Sequence, residues 1–460
     1  MNRRVVVTGF GVIAPNGIGK EEFWRNCCEG NAAVSRIPEQ WRSYSEYTST
    51  LWAPLPEIRY EDYSISRIEK MQQGDTTLLL LAATHQALTD AGLARTLVDR
   101  KKNIYAVEAL DPLRSGVFIG TGIGGISSLI ESQSYHTFTP VKERLTELSE
   151  VAGASAQQQE QRKKSITSIA ELLIRPFRFN PFAVSIIMPN ACSSVPGIKY
   201  GLKGPNQTLT SACASGTIAV GNAFKAIQRG TADCVLTGGI ENLYDPFGGL
   251  YRGFDQTKAL VSNCDDPSTA NRPFDTDRSG FLFSQGGAAM LVLEEENHAK
   301  DRGAEIIAEI TGFAESFDAH NIMMMEEGGE AIVRMISDAL DDASLPASEI
   351  DYINAHATGT RLNDEIEAGI IERIFGAKPR VNSTKSLIGH TLGASGAIEA
   401  IVTALSCKDD TTHICKNLRN PVRDLNFVTE AGHCEINHAL SQSFAFGGHN
   451  AALVMKKYGI

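Results

Sequence analysis

The chain of 460 residues holds no apolar run long enough for a transmembrane helix, no CxxC pair and no His/Cys/Asp cluster with zinc spacing. These absences exclude a helical membrane protein, a dithiol redox motif and a zinc site. Positive charge is also scarce: 43 Lys and Arg stand against 54 Asp and Glu, a net charge of −11, with no basic tract or RNA-binding motif. General nucleic-acid affinity is therefore excluded. The nine cysteines form an odd set without paired spacing, which fits a reduced, cytoplasmic compartment. A hydrophobic fraction of 42% and a charged fraction of 21% leave an ordinary globular protein with ample material for a core. The opening Met1-Asn2-Arg3-Arg4 before Val5-Val6-Val7 reads as a first strand, because Thr8 and Gly9 interrupt the apolar run too early for a leader.

What is present is a repeat. The strand-like Arg4–Gly9 is echoed by Ile306–Gly312. A helical run from Thr77 to Leu93 leads to the strand Gly116–Gly120 and the glycine-rich 121–125, while in the second half the run Ile332, Met335, Ile336, Leu340 leads to Asp351–His356 and then Ala357-Thr358-Gly359-Thr360. Each half next has an Ala-Ser-Gly element, at 214–216 and 394–396, an amphipathic helix, and a glycine pair entering a closing strand, at Gly286-Gly287 and Gly447-Gly448. Helices alternating with continuously apolar strands predict α/β layers with buried sheets, in two halves, 1–300 and 301–460, packed about a pseudo-twofold axis. Residues 135–180 break the pattern; this polar stretch is read as a mobile insertion.

Cys213 lies in Thr210-Ser211-Ala212-Cys213-Ala214-Ser215-Gly216, where a strand gives way to a helix. Small neighbours leave room for a substrate, and a helix N-terminus offers unpaired N–H groups and a positive dipole end. This predicts a reactive thiol with a pKa lowered from ~8.5 toward 3.5–7.5. His356 and His390, each at the end of a repeated element, are the candidate proton donors or acceptors. The loop Gly120–Gly125 follows a strand but lacks the acidic partner and chain-start context of a dinucleotide site.

The Cys213 motif, the His356 motif, the segment Lys385–His390 and the turn Phe444-Ala445-Phe446-Gly447-Gly448 together resemble the elongating, type II-like β-ketoacyl-acyl carrier protein synthases over nearly the whole chain. The resemblance implies a thiolase-like duplicated α/β/α/β/α five-layer fold and a homodimer, or a heterodimer with a ketosynthase-like partner. It implies a decarboxylative Claisen condensation of an acyl-enzyme with malonyl-acyl carrier protein, in fatty acid or related polyketide or polyene synthesis. Cys213 is then the nucleophile, His356 and His390 the imidazoles facing the enolate, and Lys385 with Glu399 a supporting charged pair. The N–H groups of Cys213 and Phe446 form the oxyanion hole, Phe446 is also a gate, Thr358 and Thr360 meet the phosphopantetheine arm, and Phe254 and Phe444 line the acyl site. No cofactor is bound by the chain itself, since phosphopantetheine belongs to the acyl carrier protein partner, whose acidity calls for a cationic patch; Arg67, Lys70 and Lys258 are the candidates. The signature Arg272–Phe281 is read as structural, positioning the strand from Gly286.

The chain departs from the family pattern at Ala357, His449, Ser284-Gln285 and Met323, which favours a specialised acyl substrate. Two other readings compete. A biosynthetic thiolase needs a second catalytic cysteine near the C-terminus, and Cys434 lies outside the Phe446 turn; a chain-length-factor-like subunit lacks the nucleophile that Cys213 supplies.

Overall fold

The computed structural model describes residues 3–150, 155–174, 181–262, 264 and 266–460. The first half contributes strands β1 (Val5–Ala14), β2 (Ser115–Thr121), β3 (Asn206–Leu209), β4 (Cys234–Asn242) and β5 (Gly286–Glu295). The second contributes β6 (Ala308–Phe317), β7 (Tyr352–Asn354), β8 (Arg380–Asn382), β9 (His438–Ala445) and β10 (His449–Lys457). Spatial order is β3-β2-β4-β5-β1 in one half and β8-β7-β9-β10-β6 in the other, the same path with each strand replaced by its counterpart. The inferred duplication is thus present strand for strand. The two sheets are joined edge to edge where Val5–Val7 of β1 pair antiparallel with Ala308–Ile310 of β6.

The helices that matter here are α1 (Asp75–Asp90), α2 (Thr139–Glu150), α3 (Ala156–Ile174), α4 (Ser215–Gln228), α5 (Gly249–Gln256), α6 (Glu330–Asp342), α7 (Arg361–Phe375) and α8 (Ser395–Asp409). Successive strand residues point to opposite faces, so each strand feeds two layers. On β2, Val117 and Ile119 pack with Leu78–Leu81 of α1, whereas Phe118 packs with Ile218 and Phe224 of α4. On β10, Leu453 and Met455 join the same central cluster as α4 and α8, while Val454 faces Ile332, Met335 and Ile336 of α6 and Ile371 of α7. The helices α4 and α8 lie side by side between the two sheets, and Ser395–Cys407 is buried throughout. The layer order is the five-layer α/β/α/β/α arrangement expected.

Within residues 135–180 the described segments include the helices α2 and α3, which pack against each other; residues 151–154 and 175–180 lie outside the described residues. Gln, Glu, Lys and Arg are good helix formers, and Arg144–Glu147 and Lys164–Glu160 are ion-paired along their helices. Polarity had masked a helical pattern. Among the described residues, no helix is long and apolar enough to cross a membrane.

Candidate active site

Both sheets deliver their chemistry where β2, β4, β7 and β9 end. In each half a single 3₁₀ turn leads into the central helix: Ala212–Ala214 before α4 and Leu392–Ala394 before α8. Ala212 and Leu392 occupy matching places and both take positive φ, 45° and 47°, a conformation costing about 1–3 kcal/mol for a residue with a Cβ. The strained elbow at Ala212 turns Cys213 toward the second half.

The three residues nominated from sequence meet. His390 Nε2 lies 3.0 Å from Cys213 Sγ, and the His356 and His390 rings stand edge to face with centroids 5.4 Å apart. His390 Nδ1 is 3.0 Å from Ser395 Oγ, which is 2.9 Å from Thr391 Oγ1. Among the described residues His356 Nδ1 has no hydrogen-bond partner; its ring packs on Phe444, and its backbone N–H donates to Glu367 Oε1 at 2.7 Å. A cavity of ≈ 110 Å³ is lined by Cys213, both histidines, Thr358, Thr360, Phe444 and Phe446. Phe254 on α5 stands one ring behind this wall, half-buried against Phe281 and Phe283 at centroid distances of 6.1 and 5.5 Å. Phe281, like Phe444 and Phe446, reaches the cavity, 5.5 Å from the His390 ring.

Lys385 and Glu399 form a buried ion pair, each side chain 1% exposed. Burial pushes the Glu399 carboxyl up to about 7, against the pull of Lys385, and Glu399 Oε2 has no partner among the described residues. Both imidazoles are held well below their ordinary value, first by burial and then by Lys385; His390 adds to the effect on His356. Each ring is therefore neutral at pH 7.

The thiol departs from expectation. Burial pushes Cys213 up to about 12, outweighing Lys385 and the N–H groups of Phe446 and of Cys213 itself, all of which favour the thiolate. The sequence reading counted the helix end and the N–H donors but not the desolvation, which is the larger effect for a fully buried thiol. The resting sulfur is a neutral thiol.

One supporting residue had no sequence signal beyond being an acid. Glu367 on α7 accepts from the backbone N–H groups of His356 and Ala357, both at 2.7 Å, and from Gln442 Nε2 at 2.7 Å. Arg278 donates to Thr360 O at 3.0 Å, and Gly280 N–H to Gly359 O at 3.1 Å, so the 272–281 signature braces the Thr358–Thr360 loop as well as leading toward β5. Gly447 and Gly448, with φ of 90° and 82°, form the tight turn after Phe446 that only glycine enters readily; β10 begins after them, at His449. Of the departures from pattern, Met323 lines the cavity and His449 packs on Phe317.

Family models cover most of the chain: the beta-ketoacyl synthase N-terminal domain matches residues 2–299 and the C-terminal domain residues 307–419. The chain belongs to the β-ketoacyl synthase family. This ketosynthase is 35% identical to 3-oxoacyl-[acyl-carrier-protein] synthase 2 of Staphylococcus aureus, over 99% of both chains. It is 33% identical to the protein of that name from Synechocystis, over 99% of this chain and 98% of the relative. Among solved structures it resembles a Burkholderia phymatum beta-ketoacyl synthase at 30% identity and TM-score 0.80, covering 99% of both chains. A type II polyketide ketosynthase solved with its acyl carrier protein and bound to a hexaketide matches at 27% identity and TM-score 0.81, again over 99% of both. The ishigamide ketosynthase/chain length factor matches at 27% and 0.77 over the whole of both chains.

Proposed function

We propose that this ketosynthase performs its condensation through Cys213, with His356 and His390 as the donors that stabilise the enolate. The enzyme is an acyltransferase that joins an acyl thioester to malonyl-acyl carrier protein, giving a 3-oxoacyl-acyl carrier protein in fatty acid or polyketide synthesis. The 3.0 Å approach of Cys213 Sγ to His390 Nε2 inside a cavity shared with His356 carries the residue assignment.

In the first stage Cys213 Sγ attacks the thioester carbonyl of the incoming acyl carrier protein. The carbon–sulfur bond to phosphopantetheine breaks, and the departing thiol gains the proton that Cys213 gives up. The N–H groups of Cys213 and Phe446 face the oxyanion. In the second stage malonyl thioester loses carbon dioxide, and its electron pair becomes an enolate. Thr391 donating to Ser395, and Ser395 to His390 Nδ1, leaves the ring proton on Nε2; the unengaged His356 ring supplies a second donor. The enolate carbon then attacks the Cys213 thioester, and the sulfur leaves and is reprotonated.

The Thr358 and Thr360 hydroxyls, 3.0 Å apart at the cavity wall, suit the amides of a phosphopantetheine arm. For carrier docking, Arg67 on the short helix Arg67–Gln72 and Lys258 are exposed, whereas the Lys70 ammonium is engaged by Glu61. The halves 1–300 and 301–460 divide the work, the first supplying the sulfur and the second the imidazoles. Among the described residues, strand β3 pairs with no strand other than β2, leaving a sheet edge suited to a second copy in a cytoplasmic homodimer. Cys434 sits beside Thr412 and away from the cavity lining, which disfavours a thiolase, and the presence of Cys213 disfavours a chain-length subunit.

Intact mass spectrometry after exposure to a panel of acyl-carrier thioesters tests the reading. A mass increase of one acyl group, lost in Cys213→Ala, is expected; an adduct that survives the substitution refutes it.

A further inference from the structure

Glu241, at the end of β4, is fully buried, and neither oxygen is idle. Its Oε2 accepts from Gly122 N–H at 2.8 Å and Gly393 N–H at 3.1 Å; its Oε1 accepts from Ile123 N–H at 3.2 Å and Thr121 Oγ1 at 3.4 Å. Thr121 ends β2, and Gly122 and Ile123 open the loop after it, in the half that carries Cys213. Gly393 belongs to the other half, in the elbow between His390 and Ser395, the residue bonded to His390 Nδ1. One carboxylate thus spans the seam between the thiol's half and the imidazole's half.

Two glycines leave room for it. A Cβ on Gly122 would collide with Glu241 Oε2 and sit 3.8 Å from the Cα of Ala212, the residue before Cys213. A Cβ on Gly393 would lie 2.7 Å from the same oxygen. Burial raises the Glu241 carboxyl to about 7 while the three backbone N–H groups oppose the rise. A hydrophobic side chain would avoid that desolvation but leave three N–H donors without acceptors.

We propose that Glu241 is a positioning residue for acyl transfer, holding the His390–Ser395 elbow at a fixed distance from the Cys213 elbow. The inference rests on Cys213 being the acyl acceptor. Glutamine keeps the shape of Glu241 but turns one acceptor oxygen into a donor, so at least one of the three N–H groups loses its partner. Aspartate keeps both oxygens and withdraws them by one methylene. Displacements of about 1 Å in a reacting constellation cost on the order of 10²-fold in rate.

The experiment is single-turnover acylation of Cys213, followed by intact mass across a range of acyl-carrier thioester concentrations, for the wild type, Glu241→Gln and Glu241→Asp. Circular dichroism establishes folding. Both variants are expected to lose about 10- to 100-fold in the saturating rate, with the half-saturating concentration unchanged within about twofold. A folded variant of either kind with the wild-type saturating rate, or with only a changed half-saturation, overturns the proposal. Absence of a Cys213 adduct in the wild type would instead overturn the nucleophile assignment. If neither variant folds, hydrogen exchange on the wild type decides: slow exchange of the Gly122, Ile123 and Gly393 amides supports the clamp, and exchange at the rate of unbonded amides overturns it.

Discussion

Replacing Lys385 by methionine removes the positive partner of Glu399 in a site with 1% exposure, and the consequence should be read in the pH dependence of stability. In the wild type, burial raises the Glu399 carboxyl from 4.5 to about 7 while Lys385 restrains the rise. A folded-state pKa above the unfolded value means that the stability tied to the protonated acid is fully present below about pH 4.5 and is lost as pH climbs to the folded pKa. In the wild type that loss ends near pH 7. In Lys385→Met the carboxyl stays protonated beyond pH 7, because its only charged restraint is gone. The native state then holds one more proton than the unfolded chain, and stability falls by a further ~1.4 kcal/mol per pH unit. From pH 7 to 8.5 the variant should lose about 2 kcal/mol that the wild type does not. Glu241 and Glu367, also raised to about 7, are common to both proteins and cancel in the comparison. Urea unfolding at pH 6.5, 7.5 and 8.5 measures the divergence, and Lys385→Met/Glu399→Gln, which has no titrating acid there, should abolish it. Parallel curves for the wild type and Lys385→Met, or an excess slope persisting in the double variant, would refute the reasoning.

The other expectations concern the reacting groups. His356→Ala should slow malonyl decarboxylation by ~10²–10³-fold, the usual cost of one oxyanion donor, while the Cys213 acyl adduct still forms; a carbon dioxide release assay beside intact mass separates the two, and equal losses in both would contradict the assignment. With the Cys213 thiol at about 12, the thiolate fraction at pH 7 is on the order of 10⁻⁵. Labelling by iodoacetamide in the free enzyme should therefore rise about tenfold per pH unit through pH 9. A plateau below pH 8 would mean a standing thiolate.

Much of this site was legible because each chemical group stands beside a local punctuation mark: Cys213 before Ala-Ser-Gly, His390 before its counterpart, Phe446 before a glycine pair. The repeat was visible for the same reason, since buried strands and elbows restrict residue choice at fixed intervals. Glu241 and Glu367 left no such trace. A lone acid at a strand end or on a helix looks like a solvated charge until the fold shows which N–H groups converge on it. The Cys213 pKa failed because the favourable donors are local in sequence whereas the low-polarity surroundings, Phe281 and Leu392 among them, come from distant segments. Phe254 stands behind Phe281, which lines the cavity at Cys213. The helices α2 and α3 within residues 135–180 were not legible, because a helix without an apolar stripe resembles an unstructured stretch when read for hydrophobic period alone.

The twin elbows carry a last consequence. Gly393 is the second half's counterpart of Cys213, and any side chain there would run into the backbone of Gly122 and the Glu241 carboxylate. The duplicated scaffold therefore has steric room for one sulfur nucleophile per polypeptide, so two acyl groups cannot be loaded symmetrically across its internal axis, and catalytic asymmetry follows from crowding at a single α-carbon.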